Sequence, residues 1–263
     1  MDLGLKDRVA IVTGSSQGIG KAIAFGLAKE GAKVIICARN TEKVRQTYQG
    51  ITDATGSDVL PVRVDLRKKD DITSMVKATV EMYGKIDILV NNTGGPTSRR
   101  FVETTEENWR SAIDSLLMSA VNCSREVIPY MKQNTWGRII NMTSFAAKQP
   151  AERLILSNTL RAGIFGLTKT LSNELAEHQI LVNAVCPGWT QTQRLEELAK
   201  VQAEISGDTY ETVTYKWSQK IPLKRLARPE EIAHLVVFLS SNKASYITGA
   251  VIQVDGGFIK SLT

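Results

Sequence analysis

The residues of this chain best equipped to do chemistry near its start are glycines. The run Val9-Ala-Ile-Val-Thr13 is apolar and partly β-branched, and it stops at Gly14. A short polar loop follows, and then Gly18 and Gly20 open a segment of helical periodicity. A strand, a tight turn and a helix N-terminus leave backbone N–H groups unpaired at the positive end of the helix dipole. Glycines without a Cβ let a pyrophosphate reach those groups, so the stretch reads as a cradle for a dinucleotide. The spacing Gly-x-x-x-Gly-x-Gly departs from the commoner Gly-x-Gly-x-x-Gly, and a glycine-rich turn after a strand is often only a turn.

A second candidate lies about 20 residues further on, where such folds meet the adenosine ribose. The apolar run from Lys33 to Ala38 ends at Arg39-Asn40, with no acid in its last turn. An acid there would bind the free 2′-hydroxyl of NAD; Arg39 instead suits a 2′-phosphate, which favours NADP over NAD. The plain alternative for Arg39 is a solvated loop charge. Other polar groups close apolar runs in the same way: Asp65, residues 91–95, and the hydroxyls of Thr143 and Ser144.

The elements that must position these groups alternate along the chain. Strands are expected at residues 9–13, 33–40, 59–66, 86–95, 137–144, 180–189 and 251–257. Helical patterns fill the intervals, including long ones at 106–133 and 154–177, and Arg228-Pro229 starts a late one with proline in its first turn. This alternation predicts right-handed crossovers and one doubly wound parallel sheet of about seven strands, an α/β Rossmann-type fold with helices on both faces. Ligands of such sheets bind outside the carboxyl ends of the strands, where all the polar candidates fall. Residues 190–220 are polar and helix-prone, as a lid over the site would be. No linker or repeat interrupts the chain, so residues 1–263 are expected to form a single domain.

Composition narrows the function classes. Cys37, Cys123 and Cys186 are far apart in apolar surroundings and read as buried free thiols, and with only two histidines, His178 and His234, no metal site is expected. A Ser-His-Asp hydrolase lacks parts for the same reason. The net charge of +6 is spread out, with small clusters only at Arg67-Lys68-Lys69 and Arg99-Arg100. A nucleic-acid protein would concentrate its basic residues on a stripe, so no nucleic-acid partner is expected. No apolar run approaches the roughly 18 residues of a membrane span, and strand-like sequence begins too early for a signal peptide. The expectation is a cytoplasmic protein with no membrane partner.

Thr13-Gly14-x-x-x-Gly18-x-Gly20, Asp65, Asn91-Asn92-x-Gly94, Ser144, Pro187-Gly188 and Asp255-Gly256-Gly257 occur in this order. Together they resemble the short-chain dehydrogenase/reductase family, and its 3-oxoacyl-carrier-protein-reductase-like branch in particular, over about residues 5–258. The resemblance implies a pyrophosphate site lined by Gly14, Ser16, Gln17, Gly18, Ile19 and Gly20, with Asp65 and Leu66 beside the adenine. Asn92 and Gly94 would meet the riboses, and Pro187, Gly188 and Thr190 the nicotinamide carboxamide. It also implies a homodimer or homotetramer, consistent with the uncharged stretch from Ser115 to Ser124. NADP-preferring members often carry a basic residue where Gln17 stands, so that position argues mildly the other way.

The chemistry is where the chain leaves the family. Members transfer a hydride between nicotinamide and a carbonyl carbon, using a Tyr-x-x-x-Lys pair after the serine and an asparagine in the preceding long helix. Here the tyrosine position falls on Ser157, the lysine position on Arg161 and the asparagine position on Leu116. No tyrosine anywhere in the chain has a lysine four places on. A phenol near pKa 10 can be tuned towards neutrality, whereas a serine hydroxyl has no such ionisation and arginine keeps its proton. Ser144, Ser157 and Arg161 are the catalytic candidates that remain. Ser144 would polarise the carbonyl, and Ser157, or water held by Arg161, would supply the proton. A lid tyrosine, Tyr210 or Tyr215, could serve only if the lid closes far enough. The substrate would be a partly apolar carbonyl compound, judged from Gly95, Pro96, Phe145, Gln149, Pro150 and Trp189. The alternative is a catalytically silent member that binds dinucleotide as a sensor, scaffold or oligomer subunit.

Overall fold

The computed structural model describes residues 1–262. Seven parallel strands form one sheet: β1 (Val9–Val12), β2 (Lys33–Ala38), β3 (Val59–Arg63), β4 (Ile88–Asn91), β5 (Gly137–Met142), β6 (Ile180–Pro187) and β7 (Val251–Val254). Their order across the sheet is β3-β2-β1-β4-β5-β6-β7, a doubly wound parallel arrangement of the kind the strand–helix alternation predicts. The direction of winding reverses between β1 and β4, and a crevice must open there at the carboxyl ends. Helices α1 (Gly18–Lys29) and α2 (Thr41–Thr55) follow the first two strands, and α3 (Lys69–Tyr83) the third. β1, β4, β5 and β6 are buried along their whole length, because helices cover both faces.

Two apolar layers result. On one face Ala10, Val12, Val34, Ile36, Val90 and Ile140 pack against α1 and the late helix. On the other, Val9, Ile11, Ile35, Leu89 and Ile139 meet α3 and the second half of the long central helix. The odd and even positions of each strand therefore serve opposite layers, as the period of two requires. All three cysteines are free and buried.

The strands end sooner than the sequence suggested. β3 stops at Arg63 and β4 at Asn91, and the polar residues beyond them form the loops that line the crevice. The central helix expected at 106–133 is three pieces in line. α4 (Glu106–Ala112) leads into a wider π turn over Ile113–Met118 and then α5 (Ser119–Gln133). Half of the uncharged 115–124 stretch is buried within this one chain, including Leu116, Ser119, Ala120, Cys123 and Ser124. α6 (Ile155–Leu175) carries Ser157 and Arg161 in its first two turns. The stretch 190–220 folds as α7 (Gln193–Ser206) and α8 (Tyr210–Gln219), and α9 begins with Pro229 at its first position, running Pro229–Leu239. No helix among the described residues is long and apolar enough to cross a membrane.

At the opposite end of the sheet, buried Asp87 fastens the start of β1 to the start of β4. Its carboxylate accepts from the Arg8 guanidinium at 2.9 Å and the Val9 amide at 2.8 Å, with Lys85 Nζ at 3.0 Å. Asp87→Ala should lower unfolding stability by about 2–3 kcal/mol, since the buried Val9 amide loses its charged acceptor; urea titration of both proteins measures it.

Candidate active site

The glycine loop is closed by a lock between β1 and the end of β4. Thr13 Oγ donates to the Asn92 carbonyl at 2.8 Å and accepts from the Asn92 amide at 2.8 Å. The Asn92 side-chain amide donates to the Thr13 and Gly14 carbonyls, each at 3.1 Å. Only glycine fits inside this lock. Gly14 has a φ of +57°, and a Cβ on Gly20 would lie 2.4 Å from the Gly14 carbonyl oxygen. Asn92, expected to reach a ribose, spends its amide on the loop's own backbone. α1 then starts at Gly18 with no side-chain cap, so its leading amides face the crevice without an intramolecular acceptor. This is a fit for an anionic diphosphate.

One cleft of about 680 Å³ runs along the carboxyl ends of the strands. It brings together every residue singled out for cofactor binding: Gly14, Ser16, Gln17, Gly18, Ile19, Gly20, Arg39, Asp65, Leu66, Asn92, Gly94, Pro187, Gly188 and Thr190. Ser144, Ser157 and Arg161 line the same cleft. Of the six substrate-pocket candidates, Gly95, Pro96, Phe145 and Trp189 line it, but Gln149 and Pro150 do not. Gln149 instead accepts from the Lys260 amide. The tyrosines Tyr210 and Tyr215 are also absent from the lining, and Tyr215 is 64% exposed. They sit on α8 and, in this conformation, neither reaches the cleft.

At the adenosine end, Asp65 is held by a forked pair to Arg67, with Arg67 Nη2 2.6 Å from Asp65 Oδ2. That hydrogen-bonded guanidinium holds the Asp65 carboxyl at about 2, below the ordinary range, so it is ionised at neutral pH. Arg39 is exposed at the rim. Lys43, one helical turn after Arg39, was not foreseen from the sequence. Its ammonium donates to Gln17 Oε1 at 2.8 Å and to Gln193 Oε1 at 3.2 Å. A basic group thus reaches the Gln17 position from α2, where linear comparison along the glycine loop could not find it.

At the other end, Arg161 is only 6% exposed and has no carboxylate partner among the described residues. Its Nη1 donates to the Met142 carbonyl at 2.9 Å and the Thr143 carbonyl at 3.2 Å, and its Nη2 lies 3.5 Å from the Thr93 carbonyl. It therefore ties together the chain leaving β4 and β5. Burial, aided by the nearby Arg194 cation, pulls its pKa down to about 10, so it stays charged at neutral pH. Ser157 is buried in the cleft wall, and its hydroxyl makes no hydrogen bond within the described residues. Ser144 Oγ accepts from the Ala146 amide at 3.1 Å, which leaves its O–H free to donate. Leu116, at the asparagine position, packs with Ala112, Leu156 and Leu160. It has nothing to offer a proton relay.

The far wall is aromatic. Phe145 and Trp189 lie 4.8 Å apart, and Trp189 stacks on Trp217 of α8 at 4.4 Å with 14° between planes. Thr192 caps α7 by accepting from the Leu195 amide, and its methyl would meet a Cβ on Gly18 at 3.2 Å. Thr192 and Arg194 thus complete the cleft from α7; a threonine ahead of a helical pattern was the available signal for the first.

A doubly wound sheet with a glycine-rich anion cradle at its switch point defines a Rossmann-type dinucleotide-binding protein. Comparison with known proteins narrows this. The family model described as enoyl-(acyl carrier protein) reductase matches residues 14–259. A 3-oxoacyl-[acyl-carrier-protein] reductase of Chlamydia muridarum is 37% identical over 254 residues, covering 96% of this chain and 98% of the relative. The structure of L-sorbose reductase from Gluconobacter frateurii, solved with NADPH and L-sorbose, aligns over 100% of both chains with a TM-score of 0.95 and 35% identity. That of YwfH, an NADPH-dependent reductase involved in bacilysin biosynthesis, aligns over 98% of this chain and 100% of its own with a TM-score of 0.93 and 29% identity. The chain belongs to the short-chain dehydrogenase/reductase family and is an oxidoreductase of that family.

Two consequences can be measured. Gly20→Ala should abolish dinucleotide binding in a fluorescence titration, because the new methyl overlaps the Gly14 carbonyl. Arg161→Met should cost about 1–3 kcal/mol of unfolding stability by leaving the strand-end carbonyls without their donor.

Proposed function

We propose that this protein is an NADPH-dependent carbonyl reductase whose proton donor is not a tyrosine. The observation that supports it is the meeting of Ser144, Ser157 and charged Arg161 on the nicotinamide side of one dinucleotide-sized cleft. Bound NADPH supplies the hydride. Ser144 donates a hydrogen bond to the substrate oxygen as negative charge develops there. Ser157, whose hydroxyl makes no hydrogen bond among the described residues, would orient the water that delivers the proton. Arg161, fixed on carbonyls and charged, biases the site towards an oxyanion without giving up a proton of its own. Asp65 and Leu66 would flank the adenine. Gly94 would meet the ribose, and Pro187, Gly188 and Thr190 the carboxamide. The 2′-phosphate would lie between Arg39 and the Lys43–Gln17 pair, which supplies the basic group that Gln17 itself lacks. α7 and α8 would act as the lid of a single-domain enzyme.

The catalytically silent alternative retains the cofactor side alone. It is disfavoured by Pro187, Gly188 and Thr190 in the cleft lining and by the Ser144 hydroxyl with its O–H free to donate, which a pure adenosine sensor would not need. We also propose a homodimer or homotetramer. The face of α6 carrying Ala162, Gly163 and Gly166 is exposed and smooth, and a Cβ on either glycine would meet nothing. Light scattering on the purified protein reads the assembly state, and a monomer would overturn that part.

The deciding experiment is single-turnover oxidation of bound NADPH across a panel of ketones, oxoacids and acyl thioesters. Turnover of at least one, reduced roughly 10²-fold or more in Ser157→Ala, is the expected outcome. Tight NADPH binding with no turnover on any would sink the enzyme reading. The double variant Ser157→Tyr/Arg161→Lys should gain about 10²–10⁴-fold on simple ketones if the missing pair is what limits the rate. Lys43→Met should weaken NADPH roughly tenfold while leaving NADH affinity nearly unchanged, the loss of one charged hydrogen bond to the 2′-phosphate. Equal losses for the two cofactors would place Lys43 outside the phosphate site.

A further inference from the structure

The charges lining the cleft are unevenly placed. Among the described residues four arginines face it, Arg39, Arg67, Arg161 and Arg194, and the single acid is Asp65. Asp65 is already paired with Arg67 at the adenosine end. The half of the cleft beyond Gly94 thus holds Arg161 and Arg194 and no acid in its lining. Arg161 is committed to three backbone carbonyls. Arg194 is not.

Arg194 rises from the first turn of α7 and lies across Gly95 to the other wall. Its Nη2 donates to the Pro96 carbonyl, and its Nη1 is 3.4 Å from Glu197 on the half-exposed side of the helix. A guanidinium has five N–H donors, so Nε and further hydrogens remain without a partner. Gly95 leaves room for this: a Cβ there would stand 2.8 Å from Arg194 Nε. The side chain is 30% exposed, and burial lowers its pKa, as expected for a cation taken partly out of water. A rim pair with Glu197 at that distance and exposure compensates little of this cost. Bound NADPH brings its negative charge to the cradle and the adenosine end, and its reduced nicotinamide ring is neutral. Arg194 is then available to an anionic substrate.

We infer that the carbonyl substrate carries a carboxylate and that Arg194 is its anchor, the planar fork of Nε and Nη meeting the two carboxylate oxygens. This rests on the carbonyl-reductase reading for the reaction but not for the binding. The body of the substrate would lie on Phe145, Leu154, Leu198 and Trp189, the apolar lining next to Arg194. That joins an anionic head to a hydrophobic body, a combination that neither a sugar nor a neutral ketone offers.

The experiment has a kinetic arm and an equilibrium arm, both with full-length protein and saturating cofactor. In the first, 2-oxo-4-phenylbutanoate and its ethyl ester are compared as substrates with NADPH. The acid should exceed the ester in kcat/KM by about 30-fold, through KM, as the loss of a charge-assisted bidentate contact implies. In Arg194→Met that preference should collapse towards unity, and Arg194→Lys should restore part of it. In the second arm, calorimetry compares 4-phenylbutanoate with 4-phenylbutanamide on the NADP⁺ complex, which needs no turnover. The acid should bind more tightly, and the difference should vanish in Arg194→Met. Equal affinity for acid and amide in the unaltered protein overturns the inference even if ketones are reduced. NADPH affinity falling in Arg194→Met, with acid preference intact, also overturns it and assigns the arginine to the cofactor diphosphate. Acid preference without any turnover upholds the anchor and condemns the reductase reading instead.

Discussion

The site depends on how closely the β1–α1 loop is pressed against the end of β4. Thr13 and Asn92 hold each other through backbone and hydroxyl at 2.8 Å, and the Asn92 amide binds the carbonyls of Thr13 and Gly14. At that separation neither Gly14 nor Gly20 has space for a side chain. Because the loop is fixed so tightly, α1 starts abruptly and uncapped, with its amides turned to the crevice. The crevice itself follows from the sheet order, which sends successive connections away from each other on either side of β1 and β4. Binding capacity for a dinucleotide is therefore a consequence of backbone geometry more than of any reactive side chain.

The reacting end obeys a different logic. Replacing a lysine by an arginine preserves the charge but changes what the charge can do. The planar guanidinium of Arg161 spreads over the carbonyls of Met142, Thr143 and Thr93 and serves as a tie between strand ends. Its pKa, lowered by burial to about 10, still leaves it fully protonated near neutrality. It contributes a field, not a proton. Ser157 at the phenol position leaves a hydroxyl and the volume of the absent ring, and Leu116 closes with Leu156 and Leu160 the place where an asparagine would support a relay. These three positions differ together from the pattern that the family resemblance implies, which is why the proposed reaction needs a proton donor other than a tyrosine.

A consistent charge layout accompanies this change. The adenosine end carries Arg39, Lys43 and the Arg67–Asp65 pair, and the α7 side carries Arg194 reaching over Gly95. Lys43 bonds both Gln17 and Gln193, so the glycine loop, α2 and the first turn of α7 meet at one ammonium. The same turn of α7 touches Gly18 through Thr192 and the Pro96 carbonyl through Arg194. One helical turn thereby spans the cleft from wall to wall. The aromatic stack of Trp189 on Trp217 secures α8 to the loop that follows β6.

Much was legible in the sequence because its causes are local. Apolar runs with period two or near-continuous burial gave the strands, glycines marked the anion cradle, and the spacing of Asp65, Asn92, Ser144 and Pro187 pointed to the family and to the absent Tyr-x-x-x-Lys pair. The expected strands run past the observed ends, since polar residues such as Asn92 continue the extended pattern while the Asn92 amide turns to the Thr13 hydroxyl instead of a neighbouring strand. The π turn at 113–118 has no signal of its own in the sequence, because Ile113, Leu116, Leu117 and Val121 still recur at intervals that fit an ordinary helix. What only the tertiary structure decided were the contacts between distant segments. Lys43 lies far from Gln17 and farther from Gln193 along the chain, and Arg194 is likewise distant from Gly95. No local periodicity encodes such meetings. They arise when parallel strands carry separate loops to one edge of the sheet, and there the long, flexible side chains of lysine and arginine choose among the acceptors within reach. The sequence by itself determined the glycine spacing of the anion cradle and that no tyrosine has a lysine four places on, because both are local; the folded chain alone decided which cations face the cleft and which are already spent, because those contacts join distant segments.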